Sequence, residues 1–182
     1  MSTNSTTNPT NSTAGESSST HETTVTWTDP AKALAHLPTL DGIDYLRRMA
    51  AGEIPGAPIG AHVGMEIAEV GEGTVTFRSH PDESHYNPIG MVHGGLVCTL
   101  LDSALGCAVH TTLPAGTGYT SIEIKVNYLR PVSKDSGPLL CTGRVTKSGR
   151  RVSFAEGEVI DNSGKTVATA SGSLLIFPLE AS

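Results

Sequence analysis

The chain has 182 residues, enough for one domain and a short extension. Its net charge of −6, from 12 Lys and Arg against 18 Asp and Glu, argues against a nucleic-acid binder, which needs a basic surface. No apolar run reaches the ~18 residues that a membrane span needs, so no membrane partner is expected.

Residues 1–28 are dominated by Ser, Thr and Asn, with Val25 and Trp27 as bulky apolar exceptions. Such a segment buries too little surface to offset its ordering entropy and reads as a disordered tail. It has neither a basic start nor an apolar core, so it is not a secretory signal. The folded domain is expected over 29–182. Asp41 is predicted to cap a short helix to about Ala51, which Gly52, Pro55, Gly56 and Pro58 end. Residues 64–70 and 74–79 read as a hairpin around Gly71-Glu72-Gly73. A loop from His80 to Val92 leads into one long apolar helix from His93 to about Thr112, stopped by Pro114 and Gly116. Strands then follow over 121–128, 139–147, 151–160 and 165–177. In the first of these, alternation places Ile122, Ile124 and Val126 on one face. A helix apolar around most of its circumference must be wrapped on several sides. The expected class is therefore α+β, with an antiparallel sheet of five to six strands around one central helix. Cys98, Cys107 and Cys141 form an odd set without metal-like spacing. They read as reduced core cysteines, which suits a cytoplasmic protein.

The segment from Asn87 to Asp102 (NPIGMVHGGLVCTLLD) carries chemistry that a core helix does not need. Pro88 and Gly90 mark a turn, and Gly94 and Gly95 admit a close backbone or ligand. The first helical amides lack intrahelical partners and carry the positive end of the helix dipole, so they can receive negative charge. Asp102 is a carboxylate on an apolar stripe, which requires either a hydrogen-bonding partner or a function. His93 and Asp102 are nine residues apart, roughly 13 Å along the axis and on opposite sides of the helix. No small reacting group touches both ends of that span. If both act on one bond, a second copy must supply one of them, and a homodimer with two composite sites follows.

Asn87-x2-Gly90-x2-His93-Gly94-Gly95, then Asp102, then Ser121-x6-Tyr128-x2-Pro131 closely resemble the hotdog-fold acyl-CoA thioesterases of the phenylacetic-acid-degradation (PaaI-type) group. The resemblance covers about residues 40–178. It implies the hotdog fold, a curved antiparallel sheet around a central helix, in homodimers that often pair into homotetramers. It implies that the Gly94 amide stabilises the thioester oxyanion and that Asn87 holds that carbonyl or an attacking water. His93 shapes the loop or contacts the thioester. Asp102 of the other chain is the general base or the nucleophile, and Ser121 orients the water or the carboxylate. Taken alone, Asn87 before Pro88 equally initiates a turn. By alternation, Ser121 faces away from the helix with Glu123 and Lys125, so either the strand start is irregular or Ser121 meets the dimer seam. A coenzyme A substrate carries phosphates, and Gly95, Lys147, Arg150 and Arg151 are the candidates to meet it, with Arg130 as another cation. No metal and no cofactor beyond the coenzyme A of the substrate is expected. Hotdog hydratases carry a related Asn-Pro segment, but His85 and Gly90 stand where their Asp and His would be. A non-catalytic acyl-CoA binder is the competing reading, and the acyl group, aromatic or aliphatic, stays open.

Overall fold

The computed structural model describes residues 19–179, so most of the expected tail, 1–18, lies outside the described residues. Residues 19–29 run as coil, and the Trp27 ring lies 5.6 Å from that of His62. Three short helices follow: α1 (Ala31–Leu34), α2 (Gly42–Ala50) and α3 (Pro58–His62). The third falls in a stretch expected only to break a helix. Pro58 sits in its first turn, where a proline loses no intrahelical bond and its fixed φ favours a helix start. Asp41 occupies the N-cap position of α2 but makes no capping bond; its Oδ1 accepts from the Ala115 N–H at 2.9 Å instead.

Six strands form one sheet: β1 (Met65–Gly71), β2 (Thr74–Ser79), β3 (Thr117–Tyr128), β4 (Leu139–Lys147), β5 (Val152–Ile160) and β6 (Thr166–Pro178). Their order is β1-β2-β4-β5-β6-β3, with every pairing antiparallel. The long helix α4 (Gly94–His110) lies against its concave face. This is the hotdog fold. Leu100, Leu101, Ala104, Leu105, Ala108 and Val109 of α4 are buried against Val75, Leu139, Cys141, Ala155, Val159 and Leu174 of the sheet. Each of the Leu and Val side chains contributes about 1.5–3 kcal/mol by leaving water.

Two paired glycines set how closely the sheet approaches. A Cβ on Gly143 of β4 would lie 2.2 Å from the Ala104 carbonyl oxygen, and one on Gly157 of β5 would lie 2.7 Å from Leu105. Bare backbone at these two positions lets the strands ride directly on the helix.

The first strand after α4 differs from expectation in two ways. Pairing with the end of β6 extends β3 back to Thr117, directly after the positive-φ turn at Gly116. A bulge lies between Ser121 and Glu123: Ser121 pairs with Leu174, Glu123 with Ser173, and Ile122 is the extra residue. The bulge reverses the alternation. Ile122 turns outward and is 57% exposed, whereas Ile124 and Val126 pack on the core. The irregular strand start is thus the correct alternative for Ser121.

Candidate active site

The loop before α4 is closed by Asn87. Its side-chain oxygen accepts from the N–H groups of Ile89 and Met91, each at 3.1 Å, and its own N–H donates to the Met91 carbonyl at 2.7 Å. Gly90 adopts the positive φ of 79° that this tight reversal needs. The turn-forming reading of Asn87 is therefore realised through Oδ1, while Nδ2 makes no bond among the described residues.

His93 is the N-cap of α4. Its Nδ1 accepts the Gly95 N–H at 2.8 Å, and its backbone N–H donates to the His85 carbonyl. A neutral ring that accepts at Nδ1 carries its proton on Nε2, so His93 presents a donor outward. The Gly95 amide is occupied by this cap. The Gly94 N–H has no partner among the described residues, while its carbonyl accepts from the Tyr128 hydroxyl at 2.9 Å. Partial burial raises the Tyr128 pKa, so that hydroxyl remains a donor at neutral pH. One free amide at the positive end of a 17-residue helix, beside an imidazole N–H, is a place for an oxyanion.

Asp102 sits on the exposed side of α4. Its partner is Ser121, which donates to its Oδ1 at 2.7 Å. Thr99 bonds the Gly95 carbonyl. The bulge at Ile122 is what turns Ser121 toward the helix. Three contacts run in opposite directions along the two elements: Tyr119 with Cys107, Ser121 with Asp102, and Tyr128 with Gly94. β3 therefore lies antiparallel along α4. The carboxylate and the free amide of one chain are eight residues apart, roughly 12 Å of helix.

Asp102 and Ser121 open into a cleft of about 610 Å³. Met49, Ile59, Met65, Ile67, Phe77 and Tyr119 supply apolar wall. Cys107 also lines it, but burial pushes its thiol up to about 11, so it is protonated and no rival nucleophile at neutral pH.

The remaining candidates lie elsewhere. Lys147, Arg150 and Arg151 are exposed on the β4–β5 hairpin and form no ion pair among the described residues. Arg130 donates to the Thr166 carbonyl. The sequence reading assigned no task to Tyr128, Tyr119 or Trp27. Tyr128 was findable, since it continues the alternation of Ile124 and Val126; Tyr119 was not, because it lies before the bulge that reverses that alternation.

Residues 89–168 match the family described as the thioesterase superfamily. A provisionally named esterase of Halobacterium salinarum is 33% identical over 124 residues, covering 63% of this chain and 80% of its own length. The chain belongs to the thioesterase superfamily. Its enzyme class is accordingly that of thioester hydrolases. Within this family, acyl-coenzyme A thioesterase 13 of Mus musculus is 31% identical over 88 residues, 48% of this chain and 61% of that one. The crystal structure of a phenylacetic acid degradation-related protein of Ralstonia eutropha JMP134 is 29% identical. It superposes with a TM-score of 0.66 over 72% of this chain and 98% of that one. The resemblance to the PaaI-type group thus holds in both sequence and structure. Among the described residues, no helix is long and apolar enough to cross a membrane.

Proposed function

We propose that this thioesterase hydrolyses acyl-CoA to free acid and coenzyme A, at two composite sites of a homodimer. The observation that carries this reading is the division of the site within one chain: an unpartnered Gly94 N–H at one end, an exposed Asp102–Ser121 pair at the other. Each is half of what acyl transfer needs.

The dimer has a natural seam. β3 is an edge strand of 12 residues with no sheet neighbour on its outer side among the described residues. Its Ile122, Tyr128 and the adjoining Leu129 are each more than half exposed. An exposed edge of this length pairs with another chain unless blocked. A two-fold axis through Ile124 sets Glu123 against the partner's Lys125 and Lys125 against the partner's Glu123. The same register brings Ser121, with Asp102 behind it, beside the Gly94 end of the partner's helix.

In each composite site the thioester oxygen accepts from the Gly94 N–H, with the His93 Nε2–H and the Asn87 Nδ2 as neighbouring donors. Asp102 takes a proton from water, whose oxygen attacks the carbonyl carbon. Alternatively, Asp102 attacks directly and water then cleaves the anhydride. In both routes the C–O bond forms, the C–S bond breaks and the thiolate leaves with a proton. Ser121 holds the carboxylate oriented. Lys147, Arg150 and Arg151 are proposed to meet the phosphates of the nucleotide, and Gly95 to lie against the pantetheine arm. No cofactor is required beyond the coenzyme A of the substrate. Three unpaired cysteines fit the reducing cytoplasm.

Subunit mixing tests the composite site. Gly94→Pro removes the amide hydrogen and Asp102→Asn removes the carboxylate. Each heterodimer of the two variants contains one doubly defective site and one intact site. Unfolding and refolding them together should restore about a quarter of the wild-type rate, given random pairing. Recovery of no activity despite heterodimer formation by mass would sink the shared site.

A further inference from the structure

We propose that Trp27, from the segment preceding the first helix, is a specificity-determining residue that closes the acyl cleft and selects uncharged, apolar acyl groups longer than acetyl. The proposal rests on the thioesterase reading above and extends it to the substrate class.

The sheet does not close around α4. Its two edges, β1 and β3, both border one gap, and the cleft occupies that gap. Met65, Glu66 and Ile67 line it from β1, Tyr119 and Ser121 from β3, while Asp102, Ser103 and Cys107 of α4 form its floor. Residues Thr26, Trp27 and Thr28 line the same cleft as the Asp102 carboxylate. An acyl arm held by its carbonyl beside Asp102 thus shares one enclosure with the indole.

Size and chemistry narrow the occupant. The space of about 610 Å³ lies within the range of small-molecule sites and far exceeds a two-carbon acyl group. Among the described residues its charged lining is Asp102 and Glu66, with no Lys or Arg. A dicarboxylic acyl group would bring a second anion against Glu66 without a cation to balance it. The thioether and aliphatic side chains of Met49, Met65, Ile59 and Ile67 instead suit a hydrocarbon of variable shape. Trp27 is 58% exposed, and His62 is its one aromatic neighbour among the described residues, so its ring has apolar area left to cover when a chain reaches it.

Trp27 is the only tryptophan in the protein, so its fluorescence reports on the cap directly. S-alkyl-CoA thioethers with two to twelve carbons serve as non-hydrolysable probes of the full-length protein. The emission is expected to ignore the ethyl compound and to shift blue once the chain is long enough to reach the indole. In hydrolysis, Trp27→Ala should leave kcat/KM for acetyl-CoA within twofold. It should lower the value for the preferred long acyl-CoA about tenfold, mainly through KM, with Trp27→Phe restoring most of it. Succinyl-CoA should be a poor substrate throughout. Emission indifferent to chain length, or an acyl profile of Trp27→Ala that superimposes on the wild type, would overturn the cap. Failure to hydrolyse any thioester would overturn the activity instead; a chain-length-dependent emission shift would then still support the cap as a wall of a ligand site.

Discussion

The two ends of the candidate site sit on one helix but are built in opposite ways. The start of α4 is local work: His93 caps the Gly95 amide two residues on, and Asn87 ties a turn through Ile89 and Met91. The middle depends on distance in sequence, since Asp102 finds its partner 19 residues later through a strand bulge. The first region is therefore preorganised within a single chain. The second is open on its solvent side and awaits another surface. In the proposed two-fold pair, each open carboxylate end would meet the preorganised amide end of the other chain.

The largest effect should come from the preorganised end. Gly94→Pro removes one unpartnered N–H, and a proline is tolerated at the first helical position. His93, at φ −62° and ψ 133°, already has the extended backbone that precedes proline. The added Cβ, 3.2 Å from the half-exposed Tyr128 ring, asks that ring to shift only slightly. The expected loss is about 10²–10³-fold in kcat, with a melting temperature near wild type. A variant of unchanged kcat would remove the amide from the mechanism.

At the open end, Asp102→Asn should lower kcat at least ~100-fold while leaving fold and dimer intact, because the side chain is exposed and bonded to one hydroxyl. Steady-state hydrolysis read as free thiol, alongside sedimentation, checks both parts. Ser121→Ala removes that single bond to a charged group and should cost about tenfold in kcat. If Ser121→Ala equals Asp102→Asn in effect, the hydroxyl contacts the reacting atoms itself and the contrast between the two ends sharpens.

The smallest expected effect on catalysis lies beyond the last turn that touches the cleft. His110 is buried with its ring 5.4 Å from Tyr45 and 5.3 Å from Tyr119, and burial lowers its pKa to about 4. Between the ordinary histidine value near 6.5 and about 4, the unfolded chain binds a proton that the folded chain refuses. Stability should therefore fall as pH drops through that window, by about 3 kcal/mol in all. Urea unfolding at pH 7 and pH 4.5 would measure this, and His110→Phe should flatten that dependence with little change in kcat at neutral pH.

The legibility of the sequence follows the same contrast. β2 and β4 appear at their expected bounds, and α4 within two residues, because period-two and period-3.6 patterns with Gly and Pro stops are local signals. The six-strand sheet around one helix follows from a helix apolar on nearly all sides. The bulge at Ile122 is set by cross-strand register with β6, which no window of β3 alone contains. That is why alternation aimed Ser121 the wrong way, while family likeness paired it with the site. The Asp41 side chain escaped the capping rule because a distant amide, that of Ala115, competes for its oxygen. Trp27 lies in a segment whose composition speaks for disorder, and its contact with His62 exists only once the domain has folded.

The two margins of the sheet have different fates. α2 and α3 pack over the seven-residue β1, which is itself interrupted by a bulge, whereas β3 stays bare. A chain with two adhesive borders would stack into ribbons without end. With one such border among the described residues, the proposed pairing through it would close the assembly as soon as it is used, and growth beyond a pair would have to recruit some other face.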